Sequence, residues 1–158
     1  MKIGITGHSK GLGKALFESL AIEHDVVGFS RTNGYDIKSP FDRKKIVKES
    51  KDLDVFINLV HNYFHQTDML YEMHKSWTDQ NKFIINISSI VVGQKDFGLR
   101  NYQMLEYKVH KTAVENMIEV LNNSWQKPKI CNYIISEINL STDVQNLNTL
   151  IKNECKLS

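Results

Sequence analysis

Tyr107-Lys108-Val109-His110-Lys111 sets a phenol and a primary amine four residues apart. On a helix that spacing projects both from one face. A tyrosine alone is a poor acid–base near neutral pH because its ordinary pKa is ~10. A neighbouring ammonium favours the phenolate and lowers that value, so the pair can exchange a proton with a bound substrate. A second arrangement opens the chain, Ile3-Gly4-Ile5-Thr6-Gly7-His8-Ser9-Lys10-Gly11-Leu12-Gly13. An apolar strand runs into Gly7, Gly11 and Gly13, and a helix-like stretch, Lys14 to Ala21, follows at once. Backbone N–H groups converge at such a turn and the helix dipole adds partial positive charge, so residues Gly7 to Gly13 can seat a pyrophosphate. One glycine permits the sharp turn, one lets the phosphate approach and one lets the helix pack close to the strand. Taken singly, each arrangement has an ordinary explanation, a glycine-rich surface turn or a surface tyrosine beside a solvated lysine.

Strands and helices alternate around these residues. The patterning predicts strands at Lys2–Thr6, Asp25–Ser30, Asp54–Val60, Lys82–Ser88 and within Lys129–Ile138, with a very short strand at Tyr35–Ile37. It predicts helices at Gly11–Ile22, Phe41–Ser50, Thr67–Trp77, Tyr102–Asn122 and Asp143–Glu154. Near-continuous apolar strands between helices mean a mostly parallel, doubly wound sheet covered on both faces, a three-layer α/β/α fold. Ligands in such sheets bind at the C-terminal strand ends, beside the reversal of strand order. Thr6-Gly7, Arg31, Leu59-Val60, Ser88-Ser89 and Ser136 onward all fall at such ends.

The 158 residues suit a single domain spanning 1–158, and 41% hydrophobic content with two prolines argues against disorder. A net charge of +2 and the lack of a long basic run exclude a nucleic-acid surface, and Asp42-Arg43-Lys44-Lys45 with Lys48 reads as the solvated face of a helix. Cys131 and Cys155 have neither metal spacing nor a disulfide framework and read as free thiols in a reducing cytoplasm. The first strand starts within two positions of Met1, which leaves no room for a signal peptide, and no apolar run reaches the ~18 residues that span a bilayer. A cytoplasmic protein without membrane association is expected. His61 and His65 have an i,i+4 zinc spacing without a third ligand and, with His74, read as polar cleft or surface residues. Tyr63, Phe64, Met69, Tyr71, Met73 and Trp77 read as core or as a subunit interface.

The glycine turn together with Tyr107 and Lys111 resembles the short-chain dehydrogenase/reductase family, which carries Thr-Gly-x3-Gly-x-Gly near its start and Tyr-x3-Lys about two-thirds of the way along. Thr112-Ala113-Val114-Glu115 also resembles the family helix. The resemblance implies NAD(P)-dependent hydride transfer to or from a small carbonyl or alcohol substrate. Tyr107 is then the acid/base, Lys111 tunes it and holds the nicotinamide ribose, and Ser89 holds the substrate oxygen, with Ser88 the lesser choice. Tyr102 competes by its distance from Ser89, but position 106 is a glutamate. Many NAD-binding relatives place an acidic residue after the second strand, whereas this chain has Ser30-Arg31. Arg31 and Lys10 are suited to the 2′-phosphate of NADP, so NADP(H) is favoured over NAD(H). Asp36-Ile37 resembles the pair that contacts adenine.

The chain also departs from the family. Asn58-Leu59-Val60-His61 stands where the family has Asn-Asn-Ala-Gly, so the wall beside the dinucleotide changes while Asn58, Leu59 and Val60 remain cofactor-side candidates. Ile135 to Thr142 resembles the Pro-Gly-x3-Thr segment at the nicotinamide, with Ile138 and Thr142 as candidates and Pro and Gly replaced by Glu137 and Ile138. A further family asparagine between Val60 and Lys82 is not identifiable, and the substrate-covering helices are missing. Association into a homodimer or homotetramer through Thr67–Trp77 and Tyr102–Asn122 is implied. Two functions follow: an NADP(H)-dependent oxidoreductase, or a dinucleotide-binding sensor or scaffold that no longer turns over.

Overall fold

A computed structural model describes residues 1–94, 102–135 and 139–155. Its strands are β1 (Lys2–Thr6), β2 (Asp25–Phe29), β3 (Val55–Asn58), β4 (Phe83–Ser89) and β5 (Lys129–Ile135), in one sheet of order β2-β1-β3-β4-β5. Every pairing is parallel. The helices are α1 (Gly11–Leu20), α2 (Pro40–Glu49), α3 (His65–Ser76), α4 (Tyr102–Ser124) and α5 (Leu140–Glu154).

The two-residue period of the strands divides the core into two layers. Ile3, Ile5, Val55, Ile57 and Ile85 pack with Leu16 and Leu20 of α1 and Leu147 and Ile151 of α5. Phe29, Phe56, Ile84 and Ile130 point the other way, onto Ile46 of α2, Met69 and Met73 of α3, and Val114 and Ile118 of α4. The chain leaves β1 for β2 on one side and returns to β3 on the other. That reversal opens a crevice at the C-terminal ends of β1 and β3.

The structure corrects two expectations. No strand forms at Tyr35–Ile37: Gly34 has a left-handed φ of 86°, and the chain turns before α2. The Arg43 guanidinium instead donates to the carbonyls of Ile37 (2.8 Å) and Lys38 (3.4 Å). Arg43 is therefore not on a solvated face, being 7% exposed, while Lys44, Lys45 and Lys48 are exposed. Its Nε also donates to Glu72 at 2.8 Å, so one fork ties the turn and α2 to α3. With no strand beyond it among the described residues, β2 is an edge and is only partly buried. Phe41, in the first turn of α2, is exposed.

Element ends shift for local reasons. Pro40 opens α2, where its missing N–H goes unneeded, and the Ser39 hydroxyl accepts from Asp42 N–H. β3 stops at Asn58 because the N–H groups of Leu59 and Val60 turn to Thr6 Oγ1, at 2.9 and 3.2 Å. α3 starts two residues early, at His65. Residues 136–138, expected to complete the last strand, lie outside the described residues.

Candidate functional site

The turn between β1 and α1 is built for close approach. Gly7 has a φ of 79°, and its N–H donates to Phe29 O at 2.7 Å, tying the turn to β2. A Cβ on Gly13 would lie 2.1 Å from Gly7 O, so a larger residue there would push α1 off the strand. The residue capping α1 is Lys10, whose side chain makes no capping hydrogen bond, and the first turn carries no acidic residue. The leading N–H groups of the helix are thus left for an anion. Leu12 is buried and serves packing, while the His8 ring packs at a tilt against Phe17, 5.1 Å between centroids.

A cleft of about 510 Å³ lies over this turn. Gly7, Ser9 and Lys10 form one side, Ser30 and Arg31 another, and Asp36, Ile37 and Val60 further walls. After β2 the chain forms a short 3-10 turn, Arg31–Asn33. Ser30 Oγ lies 2.7 Å from Thr32 Oγ1, and Asn33 Oδ1 accepts from Ser30 N–H at 2.8 Å. These bonds satisfy the turn internally and leave Arg31 exposed at the cleft. Neither Arg31 nor Lys10 has an ion pair among the described residues. The Asp36 carboxylate accepts from Lys38 N–H at 3.0 Å. Beside it, Tyr35 donates to Glu49 at 2.5 Å, and this bond with partial burial pushes the phenol up to about 12.

Asn58 is fully buried, so it faces the interior and not the cleft. Its amide donates to Gln66 O (2.9 Å) and Asn86 Oδ1 (3.1 Å). Through the Gln66 carbonyl it anchors the start of α3. Val60 does face the cleft, with a methyl 2.4 Å from where a Cβ on Gly7 would sit.

A second cavity, about 420 Å³, adjoins the first and is lined by Tyr107, Glu106, His110, Tyr63, His61 and Asn62 among others. The Lys111 ammonium lies 5.8 Å from the Tyr107 ring centre. Lys111 is only 2% exposed, and burial pushes its pKa down to about 8, with Glu115 opposing the fall. Its ammonium donates to Gln66 Oε1 and to Ile87 O, both at 2.8 Å. An ammonium has three donors, so one N–H is left. His61 meets the Tyr107 ring edge-on at 4.6 Å. Partial burial, with the charges of Lys111 and His110, pushes the His61 pKa down to about 4. Tyr102, the rival phenol, is 87% exposed at the start of α4. Ser89 ends β4 and its hydroxyl accepts from Val91 N–H at 3.4 Å. Ser88 is buried and donates to Glu115, so its hydroxyl is committed to the interior.

Gln66 is the residue the sequence reading missed. Besides holding Lys111, its amide donates to Asn58 O, Ile87 O and Asn86 Oδ1. Asn58, Asn86 and Asn132 occupy one register across β3, β4 and β5, and Asn86 donates to Asn132 at 3.0 Å. Asn132 in turn donates to Glu115, 3.3 Å. An asparagine amid the apolar residues of each of three strands was the available signal, since buried amides need partners.

Thr142, His65 and His74 are not among the residues that line the two cavities. Thr142 is exposed in the first turn of α5, where its N–H bonds Asn139 Oδ1. Ile138 lies outside the described residues. His65 bonds Asp68 at 3.0 Å and His74 packs on Trp125, so neither shares a site with His61. Met69, Met73 and Trp77 are core, whereas Tyr63, Phe64 and Tyr71 are exposed.

No protein-family model and no curated protein sequence matches the chain. Solved structures do. A 3-alpha-hydroxysteroid dehydrogenase from Pseudomonas sp., complexed with NADH, superposes with a TM-score of 0.67 at 21% identity, covering 86% of this chain and 71% of its own. A short chain dehydrogenase from Burkholderia cenocepacia, in complex with NADP, gives 0.71 at 19% identity, covering 90% and 75%. The bulky-bulky ketone specific alcohol dehydrogenase from Comamonas testosteroni gives 0.73 at 15% identity, covering 96% and 82%. The architecture around the site is therefore shared with solved enzymes of widely different sequence.

Proposed function

We propose, from a chain with the short-chain dehydrogenase/reductase fold, an NADP(H)-dependent oxidoreductase that reduces a carbonyl or oxidises an alcohol of a small substrate. One observation carries the reading. The cleft over the glycine turn and the cavity at Tyr107 share His61 and Asn62, so a phosphate seat and an acid/base phenol border one another. A nicotinamide dinucleotide, when bound, supplies or takes up the hydride. The chain does the rest. The α1 amides hold the diphosphate. Arg31 and Lys10, free of ion pairs among the described residues, favour the 2′-phosphate of NADP over the bare ribose of NAD. Asp36 and Ile37 border the adenosine end of the cleft. In the reducing direction Tyr107 gives its phenolic proton to the carbonyl oxygen while the carbon receives the hydride. Lys111 favours the resulting phenolate, and its remaining N–H is suited to the ribose. Ser89 is proposed to hold the substrate oxygen.

We further propose one dinucleotide-binding domain over residues 1–158, working in the cytoplasm, a placement supported by the free thiols of Cys131 and Cys155. Among the described residues no helix is long and apolar enough to cross a membrane. Exposed Tyr71 on α3 and Val109 and Val120 on α4 support a homodimer or homotetramer built on those helices.

A second reading, a dinucleotide sensor or scaffold without turnover, is favoured by one feature. Two of the three Lys111 donors bond protein groups instead of facing a cavity. The two readings separate when purified protein is titrated with NADPH and NADH and then assayed with aldehydes, ketones and quinones. Oxidoreductase function predicts turnover that falls roughly 100- to 10,000-fold in Tyr107→Phe, the usual worth of a general acid. Tight binding with no turnover across the panel selects the sensor.

A further inference from the structure

His61 lies at the border of the two cavities, and Asn62 is the only other residue common to their described linings. Resting on the dinucleotide reading above, we infer that the His61 side chain is a gate, which must swing off Tyr107 before a dinucleotide seated on the glycine turn can reach that phenol.

The wall behind the imidazole is fixed. Its inner side meets Tyr107 edge-on at 4.6 Å and lies 5.7 Å from the His110 ring. His110 is buried and held by Phe64 at 4.5 Å and Tyr63 at 5.4 Å. The backbone on either side is also fixed. Val60 N–H bonds Thr6 Oγ1 and its methyl fills the space over Gly7, while Asn62 bridges to Phe64. His61 itself is exposed on its outer side, and no hydrogen bond among the described residues anchors its ring. A rotation about its own side-chain bonds is the motion left to it, and such rotations are fast. The ring is uncharged at neutral pH, so it brings no cation to the nicotinamide end. The adenosine end of the cleft does not depend on this movement, because Arg31, Asp36 and Ile37 line the first cavity and are not in the described lining of the second.

The gate separates the two halves of one ligand, and that is the test. Affinity for NADPH and for adenosine 2′,5′-bisphosphate is measured in wild type, His61→Gly and His61→Phe. If only a fraction of molecules has the ring displaced, removing it raises apparent affinity by the inverse of that fraction. A ring–ring contact of ordinary strength puts this at roughly tenfold. His61→Gly is therefore expected to bind NADPH about tenfold tighter and to bind the bisphosphate within twofold of wild type. His61→Phe, which keeps a ring at the seam, is expected to stay near wild type for both. Unchanged or weaker NADPH binding in His61→Gly, with bisphosphate binding intact, overturns the gate and leaves the dinucleotide reading standing. Failure of wild type and both variants to bind either ligand overturns both.

Discussion

Lys111 links the fold to the chemistry, and its burial has a measurable consequence. Its pKa falls from 10.5 to about 8 on folding, because the ammonium leaves water for a pocket made by Gln66, Ile87 and Tyr107. At pH 7 folded and unfolded chains both carry the proton, and holding it in the fold costs about 3 kcal/mol. Between about pH 8 and 10.5 the folded protein gives up the proton while the unfolded chain keeps it, so this part of the stability rises with pH. By pH 9.5 about 2 kcal/mol of the cost is relieved. Lys111→Met removes the titration but not the shape. It also strips a donor from Gln66 and from Ile87 O, a loss that is the same at both pH values. Urea unfolding of wild type and variant at pH 7 and 9.5 isolates the difference. Burial pushes Cys155 up to about 12 and raises Cys131, which erodes stability as pH rises, but equally in both proteins. Wild type should gain about 2 kcal/mol on the variant over this interval. Parallel pH dependences would mean that the amine is hydrated in the folded state, and the positioning assigned to Gln66 would fall with it.

Two further substitutions probe the cleft and its frame. Arg31→Ala should weaken NADPH by roughly tenfold, the worth of a charge-assisted hydrogen bond, and leave NADH nearly unchanged; an equal loss for both, by fluorescence titration, would deny the arginine a 2′-phosphate. Arg43→Ala strips the donor from Ile37 O and Lys38 O and unpairs Glu72, so urea unfolding should show a loss of about 2 kcal/mol or more, whereas exposed Lys44→Ala should fall within ~0.5 kcal/mol of wild type.

The sheet and its order of elements were legible because buried parallel strands carry their own signature. Val55, Phe56 and Ile57 are apolar without alternation, and such a run has no solvent face. The glycine turn was legible because the restriction at Gly7 and Gly13 is steric and local. Tyr107 and Lys111 were legible as a pair because one helix fixes their spacing. What was hidden depends on partners distant in sequence. Arg43 looked like one more cation in a charged run, and the carbonyls of Ile37 and Lys38 with the Glu72 carboxylate explain its burial. Tyr35–Ile37 looked like a very short strand, but the chain turns at Gly34 and α2 follows too soon for pairing with β2. Gln66 opens a helix of mixed composition and gives no sign of the Lys111 amine that it meets from 45 residues away. The burial of Asn58 follows from that same cross-strand network, which no single strand displays.

Calorimetric titration of the unmodified protein with NADPH tests the central claim most directly. Saturable binding of one NADPH per chain, abolished in Gly13→Val because its side chain would force α1 away from Gly7, is the predicted result. No heat of binding with either NADPH or NADH, or undiminished binding in a folded Gly13→Val protein, would contradict the account.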